Sequence, residues 1–158
     1  MTDTHATNGN TARPPLSIGG HEVGAFTLLV GLEDADMRQW LPPSGAAFER
    51  QNGCFGVMDV LLSRVRRFGH GLALEHLGDS LHPSKHDALV TSLRALGVPV
   101  IATTHAPDLV DCATFEEVLV CQGDTVRRLS DHPQSAKWRR LIRAGEFWNT
   151  VGEEWTTR

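Results

Sequence analysis

The stretch LALEHLGDSLHPSKHDALV, Leu72–Val90, combines the features that decide the fold. A short apolar run ends in Glu75 and His76, a turn follows, and Pro83 then opens a helical pattern. Proline fits the first turn of a helix because the backbone N–H at that position has no intrahelical acceptor. We therefore expect a buried strand, a polar turn at its end, and a helix that ends near Gly97.

Strand and helix patterns continue on both sides of this stretch. The run AFTLLVG at 25–31 lies between glycines and predicts a buried strand, and residues 32–48 predict a loop with a short helix. A broad apolar face at 53–69 predicts a helix that packs on a sheet. The elements predicted further downstream are a strand in VPVIATTH at 98–105, a short helix at 106–113, a hairpin at 115–130 that turns at Gly123 and Asp124, and an amphipathic helix at 135–151 that breaks at Gly145. Alternating strands and helices indicate an α/β layer with a parallel core.

Length and composition predict one globular domain. The chain has 158 residues, with 41% apolar and 22% charged residues. Residues 1–17 are polar and almost free of large apolar side chains, so we expect a disordered tail there and a single domain over 18–158.

Charge and cysteine content limit the classes of partner and compartment. The net charge of -4 argues against direct nucleic-acid binding, which usually requires a basic surface. Neither a signal peptide nor a membrane span is visible. The three cysteines, Cys54, Cys112 and Cys121, lack metal-ligand spacing and indicate reduced thiols in the cytoplasm.

Two motifs in the second half of the chain carry a family resemblance. HGLALEHLGDSLHP at 70–83 and VIATTHAPDLVD at 100–111 have the order and spacing of a Walker B strand and a switch-histidine strand. From about Gln51 onward, the chain resembles the C-terminal half of ABC-type ATPase domains, in particular the AAA-like ATPases related to the overcoming-lysogeny-defect and SMC proteins. The resemblance implies an α/β fold with a truncated P-loop NTPase-like core, a mostly parallel sheet, a C-terminal β-hairpin and a C-terminal helix.

The resemblance also implies roles for individual residues. Glu75 matches the Walker B acid, which holds Mg²⁺ through water, and His76 stands where the family has its catalytic glutamate. His105 matches the histidine that contacts the γ-phosphate, so His76 and His105 are the catalytic candidates if the chain is active. Asp79 falls in the loop that crosses to a dimer partner, and Gly53 matches the glycine of the signature motif, whose serine is missing. Together, Glu75, Asp79, Gly53 and His105 are the candidates for nucleotide binding.

The chain departs from the family upstream of these motifs. A G-x-x-x-x-G-K-[ST] sequence is absent, and GGHEVG at 19–24 has the glycine spacing but continues Ala-Phe. The two lysines, Lys85 and Lys137, both lie in the second half. A phosphate loop binds through backbone N–H groups and one lysine charge, so we expect ATP and Mg²⁺ only in a site shared with another chain.

Three functions remain open from the sequence. The first is a non-catalytic or regulatory partner, which pairs with a second copy or with an ATPase that has a phosphate loop. The second is an ATP-binding and ATP-hydrolysing protein with an unorthodox site. The third is a scaffold that uses the fold without nucleotide, in which Glu75 caps the turn after its strand and His105 is an ordinary turn residue. His82 and His86 also have the i, i+4 spacing of zinc ligands, although exposed histidines at that spacing are common.

Overall fold

A six-stranded sheet forms the centre of the part of the chain that the computed structural model describes, residues 16–45, 47–52 and 71–156. The strands are β1 (Ser17–Ile18), β2 (His21–Glu22), β3 (Phe26–Val30), β4 (Phe48–Asn52), β5 (Gly71–Glu75), β6 (Val100–Thr103), β7 (Val118–Gln122) and β8 (Thr125–Arg128). The helices are α1 (Asp34–Arg38), α2 (His86–Arg94), α3 (Pro107–Val110), α4 (Ser135–Trp138) and α5 (Ala144–Thr156). Short 3-10 helices cover Pro83–Lys85 and Leu129–Asp131.

The strand order is β4-β5-β6-β3-β7-β8, and only the β7–β8 pair of this sheet is antiparallel. The predicted α/β fold with a mostly parallel sheet is therefore confirmed, as are the hairpin and a C-terminal helix. The hairpin turns where the sequence predicts, and Gly123 there has a φ of 51°, a value that L-residues rarely adopt. A small hairpin of β1 and β2 precedes the sheet and includes Ser17, the last residue of the predicted tail, whereas residues 1–15 of that tail lie outside the described residues.

Strand β3 lies in the middle of the sheet, between β6 and β7, and all five of its residues are buried. Successive side chains point to opposite faces of a strand, so β3 contributes to both apolar clusters. Phe26, Leu28 and Val30 join the larger cluster, which packs against α2, α3 and α5. Leu29 joins the smaller cluster, with Met37 of α1 among its members. The sheet is therefore covered on both faces, as a parallel sheet requires.

The order of the strands creates a crevice at the carboxyl ends of β3 and β6. The chain leaves β3 toward β4 at one edge of the sheet, whereas it leaves β6 toward β7 on the other side. Neighbouring strands with diverging connections leave an opening at their carboxyl ends, where α/β proteins commonly bind ligands. Gly31, Thr104 and His105 directly follow these two strands.

Strand β4 was not predicted. The sequence predicts a loop with a short helix over residues 32–48, and the helix is present as α1, but Phe48–Asn52 forms an edge strand paired with β5. Only Phe48 of this strand is buried, so its sequence FERQN lacks the apolar pattern of an inner strand. The helix predicted over 53–69 lies outside the described residues.

The predicted C-terminal helix is interrupted, but not at Gly145. The break lies between Trp138 and Ala144, and Gly145 belongs to the first turn of α5. A Cβ at Gly145 would clash with the carbonyl oxygen of Pro107 and lie 2.7 Å from Oδ1 of Asp111. The same Oδ1 accepts hydrogen bonds from the backbone N–H of Gly145 at 2.9 Å and of Glu146 at 3.2 Å. The prediction was wrong because the glycine serves this tertiary contact between α3 and α5.

No helix in the described ranges combines the length and the apolar content needed to cross a membrane.

We expect Gly145→Ala to lower the free energy of unfolding by about 1–3 kcal/mol, because the added methyl group forces α5 away from α3. Urea denaturation measures the change. Gly24→Ala is the matched control, since a Cβ at Gly24 meets no atom within 4 Å. Equal stability of the two variants would contradict the close approach at Gly145.

The ring of His132 predicts a pH dependence of stability. It packs edge-on against the rings of Phe147 and Trp155, with ring centroids 5.1 Å and 4.9 Å apart. Its Nδ1 accepts a hydrogen bond from the backbone N–H of Gln134 at 3.1 Å. Burial lowers the pKa of His132, against the opposing charge of Glu154. The folded state therefore binds fewer protons than the unfolded state once the pH falls through the ordinary histidine value of about 6.5.

We expect the free energy of unfolding to fall between about pH 7.5 and about pH 5, and to fall less in His132→Asn, which keeps an acceptor but does not titrate. Urea denaturation at both pH values gives the two slopes. His82→Asn is the control, because His82 is exposed and its Nδ1 likewise accepts a backbone N–H, that of Ser84. A wild-type slope in His132→Asn would contradict the assignment.

Candidate functional site

Seven charged or titratable side chains meet at the carboxyl ends of β3, β5 and β6. We call them the carboxyl-edge cluster: Asp34, Arg38, Arg50, Glu75, His76, Asp79 and His105. The sequence predicted four of these residues, Glu75, His76, Asp79 and His105, and the fold does bring them together. Asp34, Arg38 and Arg50 were missed.

A set of hydrogen bonds fastens the end of β5 to the end of β6. The hydroxyl of Thr103 accepts the N–H of His76 at 3.0 Å, and the carbonyl of Thr103 accepts the N–H of Leu77 at 2.8 Å. The hydroxyl of Thr104 donates to the carbonyl of Leu77 at 2.9 Å and accepts the N–H of Ala106 at 3.1 Å. Both threonines are buried, so the TTH sequence has a structural role of its own.

His76 has an uncommon backbone conformation. Its φ is 55°, and no other non-glycine residue among those described has a positive φ. Non-glycine residues pay a steric cost in this region, so the surrounding contacts must stabilise the turn. The ring lies between two carboxylates, with Nε2 3.7 Å from Oδ1 of Asp34 and Nδ1 3.5 Å from Oδ2 of Asp79.

Asp34 occupies the centre of the cluster. Its Oδ1 lies 3.6 Å from Nε2 of His105 as well as 3.7 Å from Nε2 of His76, and the two rings are stacked with centroids 6.5 Å apart. That oxygen atom is buried and has no hydrogen-bond partner within the described structure. An acid in the first turn of a helix directly after a central strand was the signal for Asp34 in the sequence.

The carboxylate of Glu75 is held by arginine. Oε1 of Glu75 accepts hydrogen bonds from Nε of Arg50 at 2.8 Å and from its Nη2 at 2.5 Å, and Oε2 lies 3.6 Å from Nε of Arg38. Arg50 reaches Glu75 because Asn52 is the direct partner of Glu75 in the β4–β5 ladder, so Arg50 is its diagonal neighbour on the same face. The side chains of Arg50 and Glu75 are only 27% and 18% exposed.

The described residues do not fit a tightly bound triphosphate. The loop after β3 leads into Asp34, an acid in the first turn of α1, where a phosphate-binding helix start would need positive charge. Neither lysine belongs to the carboxyl-edge cluster, and both arginines of the cluster already contact carboxylates. Among the described residues, no group of three or more His, Cys, Asp and Glu has the arrangement of a metal site. Glu75 alone is a poor candidate for Mg²⁺, which prefers several oxygen ligands.

Of the other predicted site residues, the structure describes His82 and His86 but not Gly53. Gly53, the candidate for the signature glycine, lies outside the described residues. His82 and His86 do not form a zinc pair. The Nδ1 atom of His82 caps the turn at Ser84, whereas His86 is buried with Nε2 near the carbonyls of Gly78 at 3.2 Å and Leu81 at 3.1 Å. The expected helix start at Pro83 is confirmed.

A cavity of about 250 Å³ adjoins the cluster, between the ends of β3 and β6 and helix α5. Larger depressions lie elsewhere. One of about 430 Å³ surrounds Arg94 at the amino ends of the strands, but Nε of Arg94 already donates to Glu117 at 2.9 Å. The smaller cavity lies at the crevice between β3 and β6, where α/β proteins commonly bind ligands.

Comparison of the chain with protein-family models, with curated proteins and with solved structures found no match in any of the three. Roles for Glu75, His76 and His105 therefore rest on their motifs and on the geometry of the carboxyl edge.

We expect Arg50→Met to destabilise the fold by about 1–3 kcal/mol, because Glu75 then keeps a half-buried negative charge without its hydrogen-bond donor. Arg38→Met should cost less than about 1 kcal/mol, since the Arg38 side chain is half exposed. A double-mutant cycle with Glu75→Gln, followed by urea denaturation, measures the coupling. Additive effects of Arg50→Met and Glu75→Gln would contradict the pairing.

Proposed function

We propose that this chain is an ABC-ATPase-like module that does not hydrolyse ATP by itself and acts through a protein partner. The observation that carries the proposal is the state of Glu75, the counterpart of the Walker B acid. Its carboxylate is bound by Arg50, and an acid, Asp34, faces the two histidines beside it. A carboxylate that is already neutralised by arginine at the Walker B position favours a regulatory or interacting role over catalysis.

The order of strands β5, β6 and β3 in the sheet supports the proposed relationship to an ATPase. The strands with the two motifs, β5 and β6, are neighbours in the sheet, and both motifs end at the same edge. Strand β3 adjoins β6 and supplies the strand after which a phosphate loop would follow. This arrangement is what a half of a composite nucleotide site requires, although fold analogy alone does not establish an activity.

The partner is either a second copy of this chain or an ATPase with a phosphate loop. Asp79, His105 and Leu32 are exposed at the carboxyl edge and are available for contact with it. ATP and Mg²⁺ would be held only where the partner supplies the phosphate-binding groups, and Glu75 would then have to release Arg50. We place the module in the cytoplasm because Cys112 and Cys121 are free thiols.

A scaffold without any nucleotide is the second candidate. The bonds of Thr103 and Thr104 favour it, because they give the TTH motif a structural purpose that is independent of ATP. His105→Ala separates the two candidates. It should weaken binding to a co-purified ATPase if the carboxyl edge forms a composite site, and should leave binding unchanged if another face is the scaffold surface.

We expect MgATP to leave the melting temperature of the pure protein unchanged, and phosphate release to stay at background in wild type and in Glu75→Gln. Ligand at about 100 times its dissociation constant would add about 2.7 kcal/mol of stability, so a thermal shift assay detects binding readily. Glu49→Gln removes a carboxylate from the neighbouring strand and is the control. Phosphate release that is lost in Glu75→Gln but kept in Glu49→Gln would overturn the proposal.

A further inference from the structure

We infer that the cavity beside α5 accepts the guanidinium group of an arginine side chain from a protein partner. This inference specifies the partner contact of the proposed function and rests on it. The cavity has a volume of about 250 Å³ and opens at the carboxyl ends of β3 and β6. Pockets for drug-sized ligands usually have about 300–1,000 Å³, so this volume is closer to that of a single long side chain.

The cavity has one aromatic wall. Trp148 of α5 lines it and is half-buried. A Cβ at Gly152, one helical turn further on, would lie 2.9–3.0 Å from three ring atoms of Trp148. Glycine at 152 thus allows the indole ring to lie close against the helix backbone. A ring held in this way loses little further conformational freedom when a ligand binds.

The charge of the lining favours a cation. Glu153 contributes a carboxylate and Asn149 an amide, whereas no lysine or arginine is among the lining residues. His105 also lines the cavity, and its Nε2 lies 3.6 Å from the Asp34 carboxylate. The Glu153 carboxylate would repel a phosphate-bearing ligand, so the cavity disfavours the same class of molecule as the carboxyl-edge cluster.

Arginine fits this lining better than lysine does. Its planar guanidinium stacks on an indole ring and can donate two parallel hydrogen bonds to a carboxylate. A lysine ammonium is a point charge, is more strongly hydrated, and has no flat face to place against Trp148.

An exposed leucine at the rim indicates that the arginine belongs to a protein. Leu32 lines the cavity and is 51% exposed. Leu32 and Leu141 are the exposed large hydrophobic residues of the described structure. A free small cation would leave Leu32 in water, whereas a partner surface around an inserted arginine would cover it.

Titration with capped amino acids tests the inference. The probes are N-acetyl-arginine-N-methylamide, its lysine analogue and its citrulline analogue, which has nearly the shape of arginine without the charge. The readout is the indole N–H resonance of Trp148, identified as the one that is absent from Trp148→Phe. The backbone amides of His105 and Gly152 provide a second readout that does not need this variant.

We expect the arginine probe to shift these resonances saturably, the lysine probe to bind more weakly, and the citrulline probe to have no effect. Glu153→Gln should weaken arginine binding roughly tenfold, the value of one charge-assisted hydrogen bond. Glu154→Gln is the matched control, because it removes the same charge from the next residue of α5, which does not line the cavity.

Absence of a saturable shift with arginine, an equal response to citrulline, or equal losses in Glu153→Gln and Glu154→Gln would each overturn the inference. The titration contains no nucleotide. Phosphate release dependent on Glu75 would thus overturn the proposed function without changing the titration, and a failed titration would leave the nucleotide result unchanged.

Discussion

The ion pair between Glu75 and Arg50 determines what the carboxyl edge can do. The two side chains are half-buried, and a carboxylate in that position requires compensation, because an unpaired buried charge is costly. In an active ATPase of the kind proposed as a relative, the compensating charge would be Mg²⁺. Here the compensation is a guanidinium from β4, which also joins the edge strand to its neighbour. The stability of the sheet edge and the chemistry of the site thus depend on one contact.

The rest of the edge follows the same principle. Asp34 lies where α1 begins, after the central strand, and faces the rings of His76 and His105. Thr103 and Thr104 hold the turn after β5 against the end of β6. Glu75 and His105, the residues proposed to match nucleotide-contacting positions, therefore contact arginine and aspartate side chains of this chain. The Glu153 carboxylate of the adjoining cavity then favours a positively charged partner group over a phosphate, and this links the proposed module to the arginine cavity.

Sequence patterns predicted the elements whose signals are local. The apolar run of β3, the Pro83 helix start and the Gly123 turn each depend on neighbouring residues, and all three are present. Strand β4 was not predicted, because it is a polar edge strand with one buried residue. Arg50 and Asp34 were not predicted as site residues, because only strand register and sheet order bring them close to their partners. Arg50 is 25 residues from Glu75 in the sequence, and Asp34 is 71 residues from His105. The position of Asp34 in the first turn of a helix is a local signal, but a single sequence does not show which distant residue it faces.

The most direct test of the central claim is paramagnetic broadening of backbone amide resonances by Mn²⁺ in the presence of ATP. We expect no selective broadening at Glu75, His76 or Thr104, because arginine already neutralises the carboxylate that would hold the metal. Selective broadening at these amides, lost in Glu75→Gln, would show that nucleotide-bound metal displaces Arg50, and that Glu75 is free to act as a metal ligand after all.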